Sequence, residues 1–314
     1  MAPSRKAFRG QFLIGLFIMA FATFSVQASL KTVELSIYNT SEKMTLSSLD
    51  NGKPTYVKLW ASWCVPCMEQ MPHFQEMYEQ YGDSVNFIAV NININETTEN
   101  IKEVIEKFEL SMPVWVDTNG KMGVELDLAG TPYSVLLNKT LSPVYKSNNS
   151  DALLQARLES LIEGRFESSD HLVALNREEK QAFLKPYKSG QHVLFFTATW
   201  CDWYLEQSRP EMSKSCVEAQ TLLPKLIRQS DHLPWGVVAN HLWTDSAATQ
   251  EFAQKYKVDT AITIDKGGVL FEHFKVREIP AVLLVKDGKV IERISHKNLL
   301  NNTSDMSTRL SSTF

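Results

Sequence analysis

A repeat constrains this chain more than any other feature. Asp117-Thr118-Asn119-Gly120 recurs as Asp265-Lys266-Gly267-Gly268, Phe108 as Tyr256, and Thr131-Pro132 as Ile279-Pro280, each at an offset of 148 positions. Trp63-Cys64 recurs as Trp200-Cys201 at an offset of 137, so the second copy carries 11 extra residues between its cysteine and the apolar run Trp235 to Ala239. The same landmarks in the same order, twice, argue for two tandem copies of one supersecondary plan. With 314 residues and 44% hydrophobic content, the chain is long enough for two domains of ordinary size.

The periodicities fill in the plan. Val33 to Tyr38 alternates as an opening strand, and Leu46 to Asn51 reads as a turn. Tyr56 to Trp60 is a central strand, Pro66 to Tyr81 a helix, and Val85 to Val90 a mostly apolar strand of the kind covered on both faces. Ile101, Val104, Ile105 and Phe108 make one stripe of an amphipathic helix, and Pro113 to Val116 is a short strand ending at the Asp117 turn. Beyond Pro132 come two strands and a helix with Leu154, Leu158, Leu161 and Ile162 on one face. This order predicts an α/β fold of two tandem domains, each a mixed central sheet flanked by helices. Gly164 and Ser168-Ser169 break the pattern, which places the domains at residues 29–165 and 166–314. Residues 295–314 are polar and are expected to fray.

Chemistry concentrates at Trp63-Cys64-Val65-Pro66-Cys67. If Cys64 opens the helix, its sulfur meets unpaired N–H groups and the positive end of the helix dipole, which favours the thiolate. Cys67, one turn on, shares that face and is placed to resolve a mixed disulfide. A purely structural disulfide over so short a loop would constrain the unfolded chain little. A structural zinc site needs four ligands, and beyond this pair only the distant Cys201 and Cys216 remain, with His73 on the same helix. The seven histidines share no ligand spacing, so no metal site is expected from them. Met68, Met71 and Met77 keep a copper-handling module open as an alternative, although packing on the helix explains them as well.

Trp-Cys-x-Pro-Cys after a strand is the signature of the thioredoxin superfamily. The wording Lys58-Leu59-Trp60-Ala61-Ser62-Trp63-Cys64 resembles its exported bacterial branch, the ResA/TlpA-type thiol-disulfide oxidoreductases, over residues about 40 to 163. Pro72 matches the family's helix kink, and Gly130-Thr131-Pro132 before Tyr133 to Leu137 matches its cis-proline loop. The resemblance implies that Pro132 faces the dithiol and that the Thr131 backbone pairs with an extended substrate. It also implies exchange with protein disulfides, in the reducing direction, without a cofactor, recharged by a membrane electron donor. Isomerisation or oxidation of disulfides is the nearest alternative. Trp63 and Pro66 support the site as parts of the motif. Lys58 stands where cytoplasmic thioredoxins keep a buried acid: charged, it would favour the thiolate; neutral, it could act as a base; or its stem could simply pack. Asn86 stands near where some ResA-type proteins have an acid beneath the dithiol, so that acid's role is not carried over.

The second copy departs from the family at Cys201-Asp202-Trp203-Tyr204, where Tyr204 occupies the resolving position. Pro210 can open a fresh helix with Glu211 in its first turn, letting residues 202–209 fold back. Cys201 and Cys216 are therefore expected to form a structural disulfide, and the domain to dock a substrate or electron donor. A reactive Cys201, or two buried free thiols, are the competing readings.

Residues 1–28 read as an export signal: Arg5, Lys6 and Arg9, an apolar stretch from Phe12 to Phe24, then Val26-Gln27-Ala28. An uncleaved N-terminus serving as a membrane anchor is the alternative. Either way the body is expected outside the cytoplasm, in the periplasm, where cysteines meet an oxidising compartment. Net charge is −4, and removal of those three basic residues takes it to −7, which gives no electrostatic reason to bind nucleic acid.

Overall fold

A computed structural model describes residues 30–165, 175 and 177–301. The expected export signal and the expected boundary near residue 166 lie outside them. The first unit is a seven-stranded mixed sheet of β1 (Glu34–Ile37), β2 (Lys43–Thr45), β3 (Thr55–Trp60), β4 (Asn86–Asn91), β5 (Val114–Val116), β6 (Tyr133–Leu137) and β7 (Pro143–Ser147), in the order β2-β1-β5-β4-β3-β6-β7. The second is a five-stranded sheet of β8 (Gln191–Thr197), β9 (Trp235–Asn240), β10 (Ile262–Asp265), β11 (Ala281–Lys286) and β12 (Lys289–Ser295), in the order β10-β9-β8-β11-β12. Three parallel strands flanked by an antiparallel pair recur in both, with β5-β4-β3-β6-β7 matching β10-β9-β8-β11-β12. The fold class is thus two mixed sheets with helices on them, built twice.

The central strand β3 is buried along its whole length, as a strand covered on both faces must be. Helix α1 (Val65–Tyr81) covers it with Met71, Phe74 and Met77, and Pro72 lies inside the helix. Helix α2 (Thr98–Lys107) is capped by the Thr97 side chain, which accepts from Asn100 N–H at 3.1 Å. Helix α3 (Lys121–Glu125) follows Gly120, and α4 (Ala152–Ile162) buries Leu154, Leu158 and Leu161. In the second unit α5 (Arg177–Leu184), α6 (Pro210–Gln229), α7 (Ser246–Tyr256), α8 (Val269–His273) and α9 (His296–Asn301) complete the layers. Among the described residues no helix is long and apolar enough to cross a membrane.

Three local expectations need correction. The stretch Leu46 to Asn51 is not a simple turn: Leu46–Leu49 is a 3₁₀ helix, preceded by the unforeseen strand β2, which pairs with β1. The Asp117 and Asp265 turns each lead into a one-turn helix, because the Asp117 carboxylate accepts Gly123 N–H (3.0 Å) and Asp265 accepts Leu270 N–H (2.7 Å) and Phe271 N–H (2.9 Å). The polar tail does not fray at once, since α9 packs on α6 and buries Leu299.

The two units meet through equivalent ends. Arg277, from the second unit, lies within electrostatic reach of both repeat-related carboxylates, Asp117 and Asp265. Its guanidinium fills the space over Gly120, where a Cβ would stand 2.2 Å from Nη2, and Gly120 has φ +74°, so glycine is required there twice over. One apolar cluster runs from Trp63 and Ile94 through Trp200 and Leu242 to Phe271.

Candidate active site

Cys64 is the N-cap of α1, and its Sγ accepts from Cys67 N–H at 3.2 Å. The strand β3 delivers the chain to this point, and Pro66 starts the helix there because a first-turn residue needs no N–H partner. The Cys64 and Cys67 sulfurs are bonded at 2.09 Å, with Cα atoms 5.2 Å apart, so the structure is the oxidised state. The Thr131-Pro132 bond is cis, as is Ile279-Pro280 at the equivalent place in the second unit. Trp63 is buried and donates from Nε1 to Ile94 O at 2.7 Å; its counterpart Trp200 donates to Leu242 O at 2.7 Å.

Lys58 lies in β3, wholly buried, with Nζ donating to Gln70 Oε1 at 2.8 Å and standing 5.6 Å from the Phe74 ring centre. Gln70 is one helical turn beyond Cys67, so the amine sits beneath the dithiol helix. Burial lowers its pKa from 10.5 to about 7. Asn86 is not beneath the dithiol: it pairs with Thr55 at the opposite end of β3 and hydrogen-bonds Asn51 and Leu49. The acid near the motif is Glu96, which sequence reasoning passed over. It accepts from Ser62 N–H (2.5 Å), Ser62 Oγ–H (2.6 Å) and Asn91 Nδ2 (3.0 Å), and burial raises its pKa against those bonds. The signal available was weak, an acid five residues past a strand end.

The second unit covers this site. Trp200 packs on Trp63 with ring centres 5.1 Å apart, Tyr204 Oη accepts Val65 N–H at 3.2 Å, and Arg209 donates to Ser62 Oγ at 2.9 Å. Residues 62, 63 and 65 are thus all held from outside, and Cys64 between them is 0% exposed. Trp243 covers the proline loop, since a Cβ on Gly130 would stand 2.7 Å from its Nε1. In return Asn95 exchanges hydrogen bonds with Ile279, accepting its N–H at 2.8 Å and donating to its carbonyl at 3.1 Å. Thr131 is buried, and its Oγ1 has no hydrogen-bond partner among the described residues.

Cys201 and Cys216 are brought together, with sulfurs 2.17 Å apart and Cα atoms 6.0 Å apart. Pro210 opens α6 and residues 202–208 fold back as turns, so Cys216 sits two turns into the helix facing Cys201. Gln220 Nε2 donates to Cys201 Sγ at 3.3 Å and to Thr197 Oγ1 at 2.8 Å, and both cysteines are fully buried. Among the described residues no group of three or more His, Cys, Asp or Glu is placed to hold a metal ion. Met71 and Met77 are core residues and Met68 packs against the core.

Residues 25–151 match the family model described as Redoxin. Sporulation thiol-disulfide oxidoreductase A of Bacillus subtilis is 30% identical over 105 residues, 33% of this chain and 64% of that protein. Thiol-disulfide oxidoreductase ResA of Bacillus thuringiensis is 30% identical over 89 residues, 28% of this chain and 50% of that one. The chain therefore spans between half and two thirds of the length of these relatives. Among solved structures, StoA from Bacillus subtilis matches with 25% identity and a TM-score of 0.34, covering 42% of this chain and 97% of that one. The sequence likenesses are thus to thiol-disulfide oxidoreductases of the ResA type, and the family-model match falls on the first unit.

Proposed function

We propose that the chain is an exported thiol-disulfide oxidoreductase that reduces protein disulfides through Cys64 and Cys67. The observation that carries the reading is the dithiol itself, capping a helix within a ResA-like sequence. In the reduced protein the Cys64 thiolate attacks a substrate disulfide, forming a mixed disulfide and releasing one substrate thiolate. Cys67, once deprotonated, attacks Cys64 Sγ, closing the internal disulfide and releasing the second substrate thiolate. Two electrons pass to the substrate, and a donor of two electrons must restore the dithiol. No cofactor takes part. The donor is assigned to the membrane and the protein to the periplasm, free or held by its N-terminus, on the resemblance to extracytoplasmic relatives. Trp63 and Pro66 shape the motif, and Thr131 and Pro132 receive the substrate strand. The domains are taken as 29–165 for the chemistry and 166–314 for docking. Reduced protein mixed with a protein disulfide is expected to lose its thiols at 64 and 67 in step with each substrate disulfide opened. A substrate disulfide that stays closed while those thiols persist would overturn the reading.

With its flanks held by the second domain, Cys64 is reached only when that contact opens. Alkylation of reduced Cys64 in the full chain is therefore expected to be slow. Tyr204→Phe removes one hydrogen bond worth about 1 kcal/mol and is expected to speed it a few-fold; Arg209→Ala, which removes a charged donor worth roughly 1.5–3 kcal/mol, should do so by about tenfold or more. Equal alkylation rates in all three proteins would mean that the contact does not limit access.

The fully buried Cys201–Cys216 pair is assigned a structural role. Non-reducing peptide mapping is expected to find that crosslink intact when mild reductant has opened Cys64–Cys67. A 201–216 bond that opens and closes with turnover would make it a second redox centre instead.

A further inference from the structure

Beside the dithiol motif, on the open side of the contact between the units, lies a cleft of about 480 Å³, within the ~300–1,000 Å³ of ordinary ligand pockets. Trp203, Tyr204, Trp243, Phe252 and Tyr256 of the second unit form its walls, and Pro66 closes it from the first. Trp203 is 59% exposed and Trp243 44%, so two of the six large apolar side chains left exposed among the described residues, both of them tryptophans, line it. Such clustering marks a contact surface, and tryptophan and tyrosine are the residues that dominate contact energies. The rings offer both faces and edges: Trp203 stands edge-on to Tyr204 at 5.9 Å, whereas Tyr204 and Trp243 are tilted by only 36° at 5.8 Å.

A second feature of the wall is a buried carboxylate, Asp202. The Asp202 side chain is 1% exposed. Its Oδ2 accepts from Lys255 Nζ at 2.5 Å and from Tyr256 Oη, whereas Oδ1 has no hydrogen-bond partner among the described residues.

Position decides what the occupant is. Pro66 lies between Cys64 and Cys67, so whatever fills the cleft lies against the dithiol loop and is in place when the contact over Cys64 opens. Tyr204 is shared, with its ring in the wall and its hydroxyl on the amide next to Cys64. We infer that the cleft recognises the polypeptide whose disulfide the dithiol opens, by taking an aromatic side chain carried within a few residues of the reacting cysteine. This rests on the oxidoreductase reading and extends it, making the second domain the specificity-determining half of the site. Trp203 and Tyr204, which stand in the second copy where Pro66 and Cys67 stand in the first, are on this account what that copy contributes.

The test uses the full chain, reduced at Cys64 and Cys67, and two synthetic peptides whose single cysteine carries a thionitrobenzoate disulfide. They differ only in Phe or Ser two residues after the cysteine. The Phe peptide is expected to react with a kcat/KM about tenfold or more above the Ser peptide. In Trp203→Ala that ratio should fall toward one, and in Trp203→Phe it should largely survive. Trp203 is more than half exposed, and the ratio of two peptides on one protein corrects for any loss of folded material. As a readout without chemistry, the Cys64→Ser, Cys67→Ser protein should bind the S-methylated Phe peptide, followed by tryptophan fluorescence, more tightly than its Ser counterpart. Wild-type protein that reduces glutathione disulfide but treats both peptides alike overturns the cleft assignment and leaves the oxidoreductase reading standing. A chain inert toward every disulfide that still prefers the Phe peptide in the binding arm does the reverse. Preference for a Lys-bearing peptide over Phe, or a concentration-dependent dimer abolished by Trp203→Ala, would also overturn the assignment.

Discussion

Replacing Cys64 with serine is expected to abolish disulfide reduction, a loss of several orders of magnitude, whereas replacing Cys67 should leave the first step running and stop the second. The asymmetry follows from where the sulfurs sit. Cys64 caps α1, and its sulfur already accepts the Cys67 N–H, so in the reduced state this is the sulfur whose negative charge the helix end stabilises. Cys67 lies inside the first turn, buried, and is the sulfur left to attack second. The Cys67→Ser protein should accumulate mixed disulfides with its substrates at Cys64, visible as covalent adducts on a non-reducing gel and identifiable by mass. Adducts in equal yield from either single variant would contradict the assigned order of attack. Full activity without Cys64 would end the oxidoreductase reading altogether.

The reason so much of this was legible in the sequence is that its strongest signals are local. A spacing of three residues puts two sulfurs on one turn wherever the helix is, and a proline after a turn and before an apolar run marks its own loop. The repeat at 148 positions gave both sheets one plan, and the strand orders agree over five strands. What escaped depends on contacts no spacing encodes. The resemblance sets Asn86 near an acid found beneath the dithiol in some relatives, yet parallel register sends the start of β4 to the far end of the sheet from Cys64. Glu96 matters only because the chain turns back after β4 toward Ser62. The covering of Cys64 was hidden for the same reason: Trp63 and Trp200 are 137 positions apart, and only the mutual orientation of two folded bodies brings them together. Even so, that orientation follows a rule visible afterwards. Each unit offers the loop after its second parallel strand to the other's proline loop, with Asn95 on Ile279 and His241 Nε2 donating to Leu128 O at 2.5 Å. Each copy thus contacts the other beside its proline loop, and Cys64 lies covered beneath that contact in the oxidised protein.

Lys58→Met is expected to change both stability and the pH profile, in directions fixed by the lysine's burial. Among the described residues no carboxylate pairs with the amine; it holds Gln70 Oε1 and faces the Phe74 ring, and desolvation brings its pKa from 10.5 to about 7. Above pH 10.5 it is neutral folded or unfolded and costs nothing as a charge. As pH falls from 10.5 toward 7 the unfolded chain takes up a proton that the folded chain does not, so stability declines. Below about 7 the full penalty is present, up to ~5 kcal/mol at about 1.4 kcal/mol per pH unit. Methionine, similar in length and never charged, removes it, less about 1 kcal/mol for the donor lost by the half-exposed Gln70. Thermal unfolding of the variant should therefore be higher by roughly 5 °C or more at pH 7, with the gain vanishing near pH 10. Function should move the other way. A buried amine with its pKa brought to about 7, hydrogen-bonded to Gln70 one helical turn beyond Cys67, is expected to take the proton that Cys67 must lose before it resolves the mixed disulfide. The rate of that step, measured by single-turnover release of substrate, should rise with pH through about 7 and then level. In Lys58→Met it should fall by about a hundredfold or more and follow only the thiol's own ionisation near ~8.5. A variant that is more stable at pH 7 but keeps the wild-type rate profile would leave Lys58 as a packing residue carrying a penalty, with no part in the exchange.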